Sequence, residues 1–153
     1  MDLPSLFRFV PLALGAMAAV AGIAIHMQAK RKRGQAVEQA LTRGDRTLLT
    51  DSEARFEGLK SGRAEMSRGR RGRGALILTD RMVIYEEFLP TYKLEITFKQ
   101  IRAVETSATF LGKQRGSTVL ILHFTDSHGQ VADVGFSPIN PDSWAMQIRR
   151  LIS

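Results

Sequence analysis

The chain has 153 residues, 44% of them hydrophobic, no cysteine and a net charge of +7. That composition supports a folded core rather than a disordered chain. The missing cysteines exclude a disulfide framework, a thiolate metal site and a cysteine nucleophile. Residues 1–33 hold Arg8, Lys30, Arg31, Lys32 and Arg33 against Asp2, so +4 of the charge lies there and +3 remains for the rest.

From Phe9 to Ile25 no residue is charged. As a helix this run spans about 25 Å, slightly less than a hydrocarbon core of roughly 30 Å. Leu6, Phe7, His26 and Met27 extend it, and Arg8 can snorkel to the interface. A secretory signal peptide competes with this reading, because Ala19-Val20-Ala21 has the A-x-A form. The basic cluster Lys30–Arg33, however, follows the apolar run, and positive charge resists translocation. The expectation is a retained transmembrane anchor over 1–33, with the N-terminus outside and the remainder cytoplasmic at a cell membrane. Gly15, Ala18, Ala19 and Gly22 have small-xxx-small spacing, which lets helices approach closely in lipid; Ala-rich anchors also contain such pairs by chance.

Residues 34–43 read as a linker or short helix, with Val37, Ala40 and Leu41 on one face and Gly44 as a stop. Residues 44–153 then suit one compact domain. Arg46–Thr50 and Ala54–Leu59 read as two short strands, with a helix as the alternative for the second. Ala75–Thr79 and Met82–Tyr85 flank Asp80-Arg81 as a hairpin. Leu94, Ile96 and Phe98 alternate with Lys93, Glu95 and Thr97, as in a half-buried strand. Ile101–Thr106 is a further strand, and Gly112–Gly116 a turn. Ser117–Phe124 is the clearest strand, and Asp126–Gly129 turns it into Val131–Phe136. Asn140-Pro141-Asp142 is a helix start. Trp144, Ile148 and Leu151 then form one apolar stripe.

The order of about seven strands and one closing helix resembles the pleckstrin-homology (PH) superfold, and more closely its bacterial and GRAM-like branches. The resemblance is carried by Phe56-x-Gly58, by Gly74-x-Leu76-x-Leu78-Thr79-Asp80-Arg81-Met82, by Ile96 through Ile101 to Val104-Glu105, and by Trp144. It covers residues 44–152. It implies a mainly β fold of two nearly orthogonal sheets forming a seven-stranded barrel, with the C-terminal helix plugging one end. The long Arg/Gly stretch between Leu59 and Ala75 departs from the family pattern.

That stretch is the main candidate site. Lys60, Arg63, Arg68, Arg70, Arg71 and Arg73 stand against one acid, Glu65. The resemblance implies anionic headgroup binding there, because phosphoinositide-binding members carry spaced basic residues in this loop. Arg forks fit phosphate oxygens, and each cation near an anionic leaflet contributes about 1 kcal/mol. A solvated loop that only keeps the domain soluble is the plainer reading. An Arg/Gly tract can also suggest RNA, but no aromatic is interleaved for base stacking, so no nucleic-acid partner is expected. His26, His123 and His128 lack metal-ligand spacing, and no nucleophile elbow or phosphate loop is present. The expectation is a binding module that is no enzyme and needs no cofactor or metal. Its partners would be membrane lipids with anionic headgroups, or a membrane protein. The alternative is an accessory structural subunit of a membrane complex, packed through the anchor.

Overall fold

A computed structural model describes residues 44–62, 64–66, 72–88 and 91–153. The expected anchor, its basic flank and the linker lie outside these residues. Among the described residues no helix is long and apolar enough to cross a membrane.

Among the described residues, eight strands and one helix follow in order: β1 (Thr47–Ser61), β2 (Ala64–Met66), β3 (Arg73–Thr79), β4 (Met82–Phe88), β5 (Thr91–Thr97), β6 (Ile101–Phe110), β7 (Lys113–Thr125), β8 (Val131–Ser137) and α1 (Pro141–Ile152). All the pairings are antiparallel. The seven longer strands lie in the order β5-β4-β3-β1-β8-β7-β6, and β2 pairs with β1 off this path. The expected two sheets are therefore one continuous hydrogen-bonded sheet. The physical reason is β1, whose first part pairs with β3 and whose last part pairs with β8, so no break separates the halves.

The two segments expected at 46–50 and 54–59 merge into this one strand. Asp51-Ser52-Glu53 looks like a turn in sequence, but its register shift against β3 makes it an irregularity within the strand. The Asp51 carboxylate, which is buried, accepts hydrogen bonds from the Glu53 amide (2.8 Å) and the Ile139 amide (2.7 Å). Those bonds satisfy backbone groups that the ladder drops. The expected turn at 112–116 also moves. The chain reverses at Leu111-Gly112, both at positive φ (52° and 69°), and Gly116 (φ 71°) lies within β7. Two successive positive φ values match the twist of a tight hairpin.

Alternation along the strands sends one set of side chains into the core. Phe56, Leu76, Leu78, Val83, Tyr85, Ile96, Leu120, Leu122, Phe124, Val134 and Phe136 make one buried cluster. Stacking of Phe56 on Tyr85 (centroids 5.5 Å) and contact of Tyr85 with Phe136 (5.2 Å) link β1, β4 and β8. The helix adds Trp144, Ala145 and Ile148 to the same cluster, with Leu151 partly buried against it, as the stripe predicted. Each large aliphatic or phenylalanine side chain in this cluster contributes about 1.5–3 kcal/mol by burial. Asn140 caps the helix: its side chain accepts from the Ser143 amide, and Pro141 opens the first turn. Arg149 donates through Nε and Nη2 to the Val104 carbonyl (3.1 and 2.9 Å), which ties the last turn of α1 to β6.

Candidate functional site

The candidate cations can be placed only in part. Arg63, Arg68, Arg70 and Arg71 lie outside the described residues, as do Lys30, Arg31, Lys32 and Arg33. Lys60 and Arg73 are described and exposed, and they line two different hollows on the face of the sheet opposite the core.

Lys60 sits near the end of β1, in register between Glu65 of β2 and Asp133 of β8. Its hollow, about 270 Å³, is also lined by Glu105, Phe110, Ile121, His123 and Asp133. His123 links three strands: its Nδ1 bonds the Asp133 carboxylate at 2.7 Å, and its Nε2 lies 3.5 Å from Glu105. An ionised carboxylate can only accept, so the Nδ1–H donates to Asp133. This cluster was not predicted, because His123, Asp133 and Glu105 lie on separate strands. Among the described residues no group of three His, Asp or Glu is placed to hold a metal ion.

Arg73 opens β3 in register with Arg55 of β1, and Arg55 is in register with Ser137 of β8. Ala54 and Phe56 point inward, so Arg55 faces outward. The hollow beside them, about 210 Å³, is lined by Asp51, Glu53, Arg55, Arg73, Ser117, Ser137, Pro138 and Ile139. Its acids are engaged: both Asp51 oxygens accept backbone N–H groups, and Glu53 pairs with Arg73 at 3.5 Å. Next to it, Glu57 occupies a bulge of β1, the extra residue between the Phe56–Phe136 and Gly58–Gly135 pairs. Its carboxylate accepts from the Ser137 hydroxyl (2.9 Å) and pairs with Arg115 (3.4 Å), whose Nη2 also donates to the Glu57 carbonyl (3.1 Å). Both side chains are nearly fully buried.

Where the basic stretch rejoins the sheet, the backbone is held closely. The Phe56 amide donates to the Gly72 carbonyl (3.0 Å), and the Tyr85 hydroxyl donates to the same oxygen (3.2 Å). Burial, and then the nearby Glu87 carboxylate, raise the Tyr85 phenol well above its usual range, so it stays a donor. A Cβ at Gly72 would meet the Glu87 carboxylate, which would have to move aside to admit it. At the far end of β1 the Ser61 hydroxyl donates to Asp126 (3.0 Å) and the Gly62 amide to the Val131 carbonyl (3.3 Å), joining the β1–β2 and β7–β8 turns.

The sheet order, the shared β1 and the closing helix can now be set beside known structures. The Vps36 N-terminal PH domain superposes with a TM-score of 0.50 at 24% identity, over 72% of this chain and 80% of that one. The fold is PH-like. Two further structures align less closely. A chain of the 8S snRNP assembly intermediate gives a TM-score of 0.46 at 12% identity, over 69% of this chain and 78% of that one. The C-terminal domain of an unknown protein from Leishmania infantum gives 0.47 at 11% identity, over 73% and 89%. No family model and no curated protein matches the chain. Within the PH-like fold, the Arg/Gly stretch falls between the strands numbered β1 and β3 here, interrupted by the added strand β2.

Proposed function

We propose that the chain is a membrane-associated PH-like binding module, whose Lys60–Arg73 stretch contacts an anionic lipid surface on the cytoplasmic side of a cell membrane. The observation that carries this reading is the run of six cations across the β1–β3 connection of a PH-like sheet, with Lys60 near the end of β1, Arg73 at the start of β3 and four arginines between them in sequence. PH-like domains commonly bind lipids or proteins, and Arg forks fit the phosphate oxygens of anionic headgroups. The apolar run Phe9–Ile25 with Lys30–Arg33 behind it supports a single-pass anchor. Anchor and loop would then hold the domain to one leaflet at two points.

Flotation of residues 34–153 on phosphatidylcholine vesicles with and without phosphatidylserine tests this reading. The fragment should float with the anionic vesicles only, and changing Arg68, Arg70, Arg71 and Arg73 together to Glu should abolish it. Equal flotation on both vesicle types sinks the lipid reading. The second reading, an accessory subunit packed through Gly15, Ala19 and Gly22, predicts a stoichiometric partner after crosslinking in native membrane. Gly15→Leu with Gly22→Leu should release that partner.

A further inference from the structure

The hollow beside Arg55 and Arg73 has three features that the basic loop alone does not account for. First, Ile139 is 90% exposed, whereas most large apolar side chains of the described residues are covered. It is also held in place: its amide is bonded to the buried Asp51 carboxylate, Pro138 before it is buried, and Asn140 after it caps α1. An isoleucine fixed outward on both sides differs from one that swings free on a loop. Second, Arg55 and Arg73 stand beside it as a cross-strand pair on the outer face. Third, the Ser117 hydroxyl, on the lining of the hollow, is buried without a hydrogen-bond partner. A buried donor without a partner costs about 1–3 kcal/mol, so such groups mark a place for an acceptor. The carboxylates nearby (Asp51, Glu53, Glu57) are already engaged by backbone amides, Arg73 and Arg115.

We propose that this face is a membrane-docking surface, on which Arg55, Arg73 and Ser117 take the phosphate of an anionic lipid headgroup while Ile139 enters the acyl layer. The arrangement combines two arginines, Arg55 and the Glu53-paired Arg73, a hydroxyl in the hollow and one apolar side chain projecting beyond them. A membrane interface presents the matching layers, phosphate outside and hydrocarbon beneath. The inference rests on the lipid reading above and adds to it a second contact, built on the sheet instead of the loop.

The chain has no cysteine. Ile139→Cys in the full chain therefore gives one labelling point for an environment-sensitive fluorophore, at a position exposed enough to accept it. On phosphatidylcholine vesicles containing phosphatidylserine the label should brighten about threefold or more and shift to the blue, as a probe does on leaving water for the acyl region. On phosphatidylcholine alone it should not. Arg55→Gln and Arg73→Gln should each weaken the response about fivefold. A label at Met146→Cys, 48% exposed on α1, which packs on the core face of the sheet, should stay unchanged. If the label at 139 is silent while the 34–153 fragment still floats through its loop arginines, this proposal falls and the lipid reading stands. If neither responds to anionic lipid, both fall. Equal responses at 146 and 139 would place the membrane on another face and overturn the proposal. So would a response at 139 that needs an added protein instead of phosphatidylserine.

Discussion

At the scale of single residues, the buried pair Glu57–Arg115 carries the largest local stake. Its side chains are 3% and 11% exposed. Removing one partner leaves a charge buried without compensation, which costs about 3–5 kcal/mol. Arg115→Met should therefore lower unfolding stability by roughly that amount in urea denaturation. Glu57→Met with Arg115→Met should cost clearly less than the two single changes added together. Asp51→Ala strands two backbone amides and should cost about 2 kcal/mol. Asp126 gives a pH dependence. Its carboxylate accepts the amides of Gln130 and His128 and the Ser61 hydroxyl. The Gln130 bond leads in holding its pKa below the ordinary value, against the opposing effect of desolvation. A lowered folded-state pKa stabilises above the unfolded value and is lost as pH falls through the folded one. The stability gap between the wild type and Asp126→Asn should thus be full at neutral pH and narrow below about pH 4.

At the scale of elements, close approach limits what can change. A Cβ on Gly135 would lie 2.7 Å from Phe110 Cδ1 and 3.0 Å from Val119 Cγ1. The Phe110 ring thus lies over β8, and Gly135→Ala should push it aside at a cost of about 1–3 kcal/mol, read as a lower thermal midpoint. How much of each element was legible in the sequence depends on whether its signal is local. The strand Ser117–Phe124 and the helix from Pro141 show theirs within a few residues, through β-branched alternation, the Asn140 cap and the Trp144 stripe. The unity of β1 was hidden, because Asp51-Ser52-Glu53 carries turn chemistry and its purpose, holding the Ile139 amide, lies 88 residues away. β2 was hidden because Ala64-Glu65-Met66 has no strand pattern of its own and forms by pairing with Leu59–Ser61. The turn at Leu111 was misplaced because leucine seldom adopts positive φ, while the glycines around it signal turns more strongly. The candidate site divides in the same way. Its arginines stand out by charge alone. Ser117 and Ile139 gave no signal, since an orphaned hydroxyl and a fixed, exposed isoleucine exist only once strands meet.

At the scale of the whole molecule, the closing helix and the surface charge make separate predictions. Ile148 is fully buried among strand residues, so Ile148→Ala should cost about 2–5 kcal/mol and lower the thermal midpoint without altering vesicle selectivity. Association with anionic vesicles, in contrast, should weaken steeply between low and physiological salt, as the Debye length shortens to about 8 Å. A salt-insensitive association would point to a partner gripped by apolar contact.

The strand that joins the two halves of the sheet also sets a timetable for biosynthesis. β1 is made early, and one of its edges can pair as soon as β3 emerges. Its other edge waits for β8, whose Ser137 partners Arg55 from about 80 residues later. At roughly 5–20 residues per second that interval is about 4–16 seconds. Throughout it the ribosome displays a half-finished sheet with a long open border, the kind of border that recruits stray strands. Slowing translation between residues 62 and 130 should therefore lower the yield of soluble protein more than the same delay placed after residue 137.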